Sequence, residues 1–178
     1  MQVWIALLRG INVGGANIVP MVDLRAMLAD VGFESVKTYI QSGNVVFKSN
    51  LLREEIAIKV ATAIEATFGF SPHLMILSLE ELEQAIADNP FPEGKAEPKT
   101  LHLSFAKETP KKPNLTELAE WKKNSESFEL KGKVFYLHAP EGIGRSKLAE
   151  RAERMLGVAI TARNWRSVGK ILELAKAL

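Results

Sequence analysis

The chain has 178 residues, 47% hydrophobic and 25% charged, the composition of an ordinary soluble globular protein of one large or two small domains. Without cysteine it has no disulfide framework, no thiolate nucleophile and no sulfur ligand for zinc, and it suits the reducing cytoplasm, its expected compartment. The net charge of +2 is unevenly placed: residues 79–97 carry six acids and one base, a sum of −5, and residues 131–170 carry nine bases and three acids, a sum of +6.

Residues 3–8, Val-Trp-Ile-Ala-Leu-Leu, are continuously apolar, which predicts a central strand covered on both faces. The run is too short for a membrane span and has no basic segment before it, so neither a secretion signal nor membrane association is expected. After a Gly-rich loop, Pro20 opens a helix marked by Met21, Leu24, Leu28 and Val31 and stopped by Gly32. Residues 36–40 and 45–48 form strands joined through Ser42-Gly43-Asn44. Leu52, Ile56, Val60 and Ile64 mark a second helix ending near Gly69, and residues 72–78 return as a strand.

Residues 1–78 therefore read βαββαβ. Ser78 and Glu81 have capping-box spacing and open a helix to Ala87, and residues 89–94 form a Pro-containing connection. From residue 100 the order repeats. Leu101, Leu103 and Phe105 alternate with His102 and Ser104 as a half-buried strand, and a helix follows around Leu115, Leu118 and Trp121. Strands at 127–130 and 133–139, a helix from Leu148 to its stop at Gly157, a short strand at 158–161 and a helix through Trp165, Val168, Leu172 and Ala175 complete the chain. The expected fold class is α+β: two tandem ferredoxin-like halves with antiparallel sheets, at 1–78 and 100–178, a helix and linker at 79–99, and a C-terminal helix.

In such a sheet, of strand order 4-1-3-2, strands one and two point the same way, so Arg9, Asn12, Gly14, Gly15, Asn17, Gln41 and Asn44 emerge at one edge. In the second half, Arg145, Ser146 and Lys147 after strand three share an edge with Arg163, Asn164 and Arg166 after strand four. Arg, Asn, Gln and Gly present donors to an anionic ligand, because glycine lets backbone N–H groups approach and arginine supplies a planar fork. Each motif also has a structural reading: Gly14-Gly15 as a bare turn, Ser42-Gly43-Asn44 as a hairpin, Ser146 as a helix cap, Arg163 and Arg166 as partners of acids. Gly142-x-Gly144-x-Ser146-Lys147 lacks the spacer and order of a Walker loop, although a helix N-terminus flanked by Gly and Lys can hold a phosphate.

The strings ALLRGINVGG, TYIQSGNVVF, GRSKL and TARNWRSV together resemble the bacterial family known as domain of unknown function 1697. The resemblance implies a soluble bacterial α+β protein of two ferredoxin-like halves, with no established activity, cofactor or catalytic residues.

Standard catalytic patterns are absent. His73, His102 and His138 fall in strands, 29 and 36 residues apart, without metal-ligand spacing, and read as partly buried structural histidines. No metal site, catalytic residue or cofactor is assigned. The expected ligand is a phosphorylated small molecule or nucleotide. Single-stranded nucleic acid is the alternative, weakened by the missing RNA-recognition signature, and an assembly module is the third reading. Oligomeric state is left open.

Overall fold

The first apolar run is the central strand β1 (Gln2–Arg9), and its residues point alternately to two covered faces. In the computed structural model, which describes residues 1–178, the chain is α+β with two four-stranded antiparallel sheets and six α-helices. After β1 come α1 (Met21–Asp30), β2 (Glu34–Tyr39), β3 (Asn44–Ser49), α2 (Arg53–Phe68), β4 (His73–Ser78) and α3 (Leu79–Ala87). A 3₁₀ turn at Pro92–Lys95 leads to β5 (Leu101–Ala106), α4 (Leu115–Glu120), β6 (Ser127–Lys131) and β7 (Val134–His138). The 3₁₀ turn Ile143–Arg145, α5 (Lys147–Leu156), β8 (Ile160–Asn164) and α6 (Trp165–Lys176) follow.

The strand orders are β2-β3-β1-β4 and β6-β7-β5-β8, which is the expected 4-1-3-2 order read from the other side. The chain forms two compact units, Met1–Gln84 with Gly169–Leu178, and Ala85–Val168, so the divisions fall inside α3 and α6. In the first unit, Trp4, Ala6 and Leu8 pack with Val45, Phe47 and Ile76 under Leu24, Leu28, Ile56, Val60 and Ile64 of α1 and α2. Ile5, Leu7, Val46 and Leu77, on the opposite face, are buried too. The end of α6 reaches that face: Lys37 Nζ lies 3.5 Å from the Ala177 carbonyl, and Lys48 Nζ donates to that of Leu178. Lys176 pairs with Glu83 at 2.7 Å. The last ten residues thus group with the first unit, whereas sequence order placed them in the second half.

The capping box of α3 forms as its spacing requires, with Glu81 N–H donating to Ser78 Oγ and Ser78 N–H to Glu81 Oε2. Arg53 reinforces it, giving one N–H to the Ile76 carbonyl and another to Glu81, both at 2.7 Å.

In the second unit, Phe135, Leu137, Leu148, Ala152 and Met155 form the core with Leu118 of α4. β5 is buried along its whole length, not half-buried as its alternation suggested. His102 and Ser104 face α4 and α5, while the face with Leu103, Phe105 and Tyr136 is also closed. There the Tyr136 hydroxyl, its ionisation pushed up by burial and further by Asp88 and Glu129, donates to the Ala85 carbonyl at 2.7 Å. β8 lies two to three residues later than the apolar spacing implied, so Thr161, Arg163 and Asn164 belong to a strand paired with β5. Of the three histidines, His102 is buried, His138 half-buried and His73 exposed, which corrects the expectation for His73.

Burial, partly opposed by a backbone hydrogen bond to Thr100, holds the His102 imidazolium below its ordinary value of 6.5. Below that value the unfolded chain binds the proton more readily, so this contribution is full above about pH 6.5 and is lost as pH falls. His102→Leu should flatten the pH dependence of urea midpoints below pH 6.5, and an unchanged slope would contradict this. A Cβ on Gly43, at φ +78°, would stand 2.7 Å from Leu8 Cβ and 2.9 Å from Ile11 Cδ1. Gly43→Ala should therefore lower stability by about 2–4 kcal/mol in denaturant unfolding, against less than about 1 kcal/mol if the turn can yield.

Candidate functional site

β1 and β2 run in the same direction, each antiparallel to β3, so the loop after Arg9 and the turn after Tyr39 leave the sheet together. They are joined directly. Leu8 N–H donates to the Gly43 carbonyl at 2.8 Å, and Asn12 Nδ2 donates to the Gln41 carbonyl at 2.8 Å. Asn12 also donates to the Val19 carbonyl at 2.9 Å and accepts from Val19 N–H at 2.8 Å, closing the loop at its base. Asn17 Nδ2 bonds the Gly10 carbonyl at 2.9 Å, and Asn44, which is buried, bonds the Tyr39 carbonyl and Ser42 Oγ.

Gly14 and Gly15 are the central pair of a miniature hairpin closed by Ala16 N–H to the Val13 carbonyl, and both have positive φ, as a type I′ turn needs. Asn12 and Asn17 also adopt positive φ, which asparagine tolerates better than most side chains. The three asparagine amides are thus engaged by their own loops. Arg9, half-buried opposite His73 in the β1–β4 register, and the exposed Gln41 complete the polar groups there. Around them Val13, Ile18, Val22 and Ile40 are each more than half exposed.

The end of the second unit where β7 and β8 finish is different in character. Their C-termini lie beside the start of β5, with His138 opposite Leu101 and Asn164 opposite His102. Gly142, at φ +92°, carries the chain into the Ile143–Arg145 turn. Ser146 then caps α5, its Oγ accepting from Ala149 N–H at 3.1 Å, and its carbonyl takes Glu150 N–H. The Lys147 and Leu148 N–H groups have no protein acceptor. Asn164 Oδ1 caps α6 by accepting from Ser167 N–H at 2.9 Å.

Arg145, Lys147 and Arg166 are exposed and make no ion pair. Arg163 is different: it lies on β8, donates to the Ala162 carbonyl at 2.9 Å among its contacts, and is pushed down to about 10 by burial while staying charged at neutral pH. Lys95 lies over the Trp165 ring at 5.3 Å, on the first residue of α6.

One cluster escaped the sequence reading. The Arg151 guanidinium stacks on Trp121 at 3.6 Å, and Lys147 sits 5.9 Å from the same ring. The signal was present as the i, i+4 spacing of Lys147 and Arg151 on α5. Ser125 Oγ and Lys123 Nζ hold the Glu141 carboxyl below the usual carboxylate range, the hydrogen bond from Ser125 being the largest single cause. No group of three or more acidic, His or Cys side chains is arranged to hold a metal ion.

Because Asn12 closes its loop through three hydrogen bonds, Asn12→Gly, which keeps the positive φ accessible, should lower the thermal midpoint by about 2–4 °C per kcal/mol lost. An unchanged midpoint would mean that the amide is not structural.

Comparison with known proteins supplies a frame for this geometry but no chemistry. A comparison with curated proteins gave no match. Among solved structures, a conserved bacterial protein from Streptococcus pneumoniae is similar, at 25% identity and a TM-score of 0.71, with 98% of each chain covered. No helix is long and apolar enough to cross a membrane. The family described as "Protein of unknown function (DUF1697)" matches residues 1–136, a stretch that holds both N-terminal loops and ends before α5, and the chain belongs to that family.

Proposed function

We infer that the protein binds a small anionic or phosphorylated ligand, a nucleotide or sugar phosphate, at the end of the second unit built from the starts of α5 and α6. The observation that carries this is the set of exposed, unpaired cations Arg145, Lys147 and Arg166 beside two helix N-termini at one end of one sheet. Each terminus directs N–H groups and a partial positive charge outward, and each is capped by only one side chain. A phosphate there could accept from Lys147 and Leu148 N–H while Arg145 offers a planar fork. The ferredoxin-like reading of both halves has the support of the element order and the 4-1-3-2 strand order. Gly14, Gly15, Asn12, Asn17 and Asn44 fit this reading as scaffold at the other unit's end.

Single-stranded nucleic acid is less well supported. Recognition on an open sheet needs exposed aromatics, and Trp4, Phe105 and Tyr136 of the central strands are buried.

Calorimetric titration with ADP, a sugar phosphate and inorganic phosphate should show binding at millimolar concentration or tighter. Arg145→Ser with Lys147→Ser should weaken it at least about tenfold without moving the melting temperature, since each charge-assisted hydrogen bond contributes about 1.5–3 kcal/mol. No heat at millimolar ligand, or full binding by the double variant, would contradict the assignment. A steep salt dependence with labelled single strands would favour nucleic acid instead.

A further inference from the structure

The outward face of α2 is built unlike an ordinary solvated helix face. Its inward side chains, Ile56, Val60 and Ile64, lie in the core of the first unit. Outward, Glu55, Ile58, Lys59, Thr62 and Ala66 recur at helical spacing along one stripe, and Ile58 is 68% exposed. Together with Val31, after the end of α1, they line a groove of about 460 Å³. Leu52, at the N-cap of α2, is as exposed as Ile58.

The charges on this stripe are placed for a partner of identical sequence. Glu55 and Lys59 have the i, i+4 order that normally closes into an ion pair on one helix, yet here Lys59 makes none. Glu55 accepts Leu52 N–H through Oε2 and makes no ion pair of its own.

Consider two antiparallel copies of α2 related by a twofold axis at the level of residue 57. Residues equidistant from the axis then face each other. Glu55 of each copy meets Lys59 of the second copy, in both directions. Leu52 meets Thr62, and the two Ile58 side chains lie side by side above the groove. A parallel arrangement would set Glu55 against Glu55.

We propose that this face of α2 is a self-association surface, docking against α2 of a second copy of this chain around a twofold axis. The contact is a single helix face, small by the standard of stable dimers, so association is weak, with a dissociation constant of about 10–100 µM.

Sedimentation equilibrium on the full chain tests this. The wild type should shift from monomer to dimer across that range, and Ile58→Asp, at an exposed position, should stay monomeric with an unchanged melting temperature. Lys59→Glu sets Glu against Glu and Glu55→Lys sets Lys against Lys, so each alone should be monomeric. An equimolar mixture of the two should form a heterodimer, because both ion pairs are then restored. Wild type that stays monomeric to about 1 mM, charge variants that dimerise like the wild type, or a mixture that stays monomeric would each overturn the proposal. A chain that remains monomeric while a foreign protein occupies α2 would overturn it as well.

Discussion

A central strand covered on both faces hides its side chains along its whole length, so its exposed polar groups lie where it leaves the sheet. That constraint shapes both units. β1 is buried from Trp4 to Leu8 and β5 from Leu101 to Ala106, His102 and Ser104 included, so the exposed hydrogen-bonding side chains collect at strand ends. In the first unit this gives the loop after Arg9 and the turn before Asn44. In the second it gives the segments after His138 and Asn164.

What the two ends do with their polar groups differs. At the end of β1 the loop is long, with several residues at positive φ, and its carbonyls need donors once the chain has turned away from the sheet. Asn12 and Asn17 supply them, and Asn44 does the same for the neighbouring hairpin. An amide that holds two carbonyls at 2.8–2.9 Å has no donor left for a ligand. At the end of β7 the chain instead enters α5 almost at once through one 3₁₀ turn. The helix N-terminus leaves donors in excess, and the cations beside it stay unpaired. Gly and Asn are scaffold at one end, and Gly, Asn and Arg frame a candidate site at the other.

Much of this could be read from the sequence. Apolar spacing located the helices other than α3, which the capping-box spacing of Ser78 and Glu81 marked, and Gly32, Gly69 and Gly157 marked stops because they occupy left-handed positions after a last turn. Two features were illegible. β8 takes in Ala162, Arg163 and Asn164, whose polarity suggests a loop, because backbone pairing with β5 rather than side-chain pattern sets that strand. The grouping of residues 169–178 with the first unit depends on Lys37, Lys48 and Glu83, separated from their partners by about half the chain or more, and no local periodicity encodes such contacts. For the site, the sequence identified which residues could bind but not which were already engaged. The hydrogen bonds from the Asn12 amide to the Val19 and Gln41 carbonyls are what separate a loop clamp from a ligand donor, and they exist only once the chain has folded.

On the proposed reading an anion takes the donors at the start of α5, while the asparagine amides where β1 ends stay with their own loops. Backbone amide spectra of the isotopically labelled chain, titrated with inorganic phosphate, read both places at once. The account predicts saturable shifts at Lys147 and Leu148 with little change at Gly14 and Gly15; shifts confined to the Gly14–Gly15 loop, or none at either end, would contradict it.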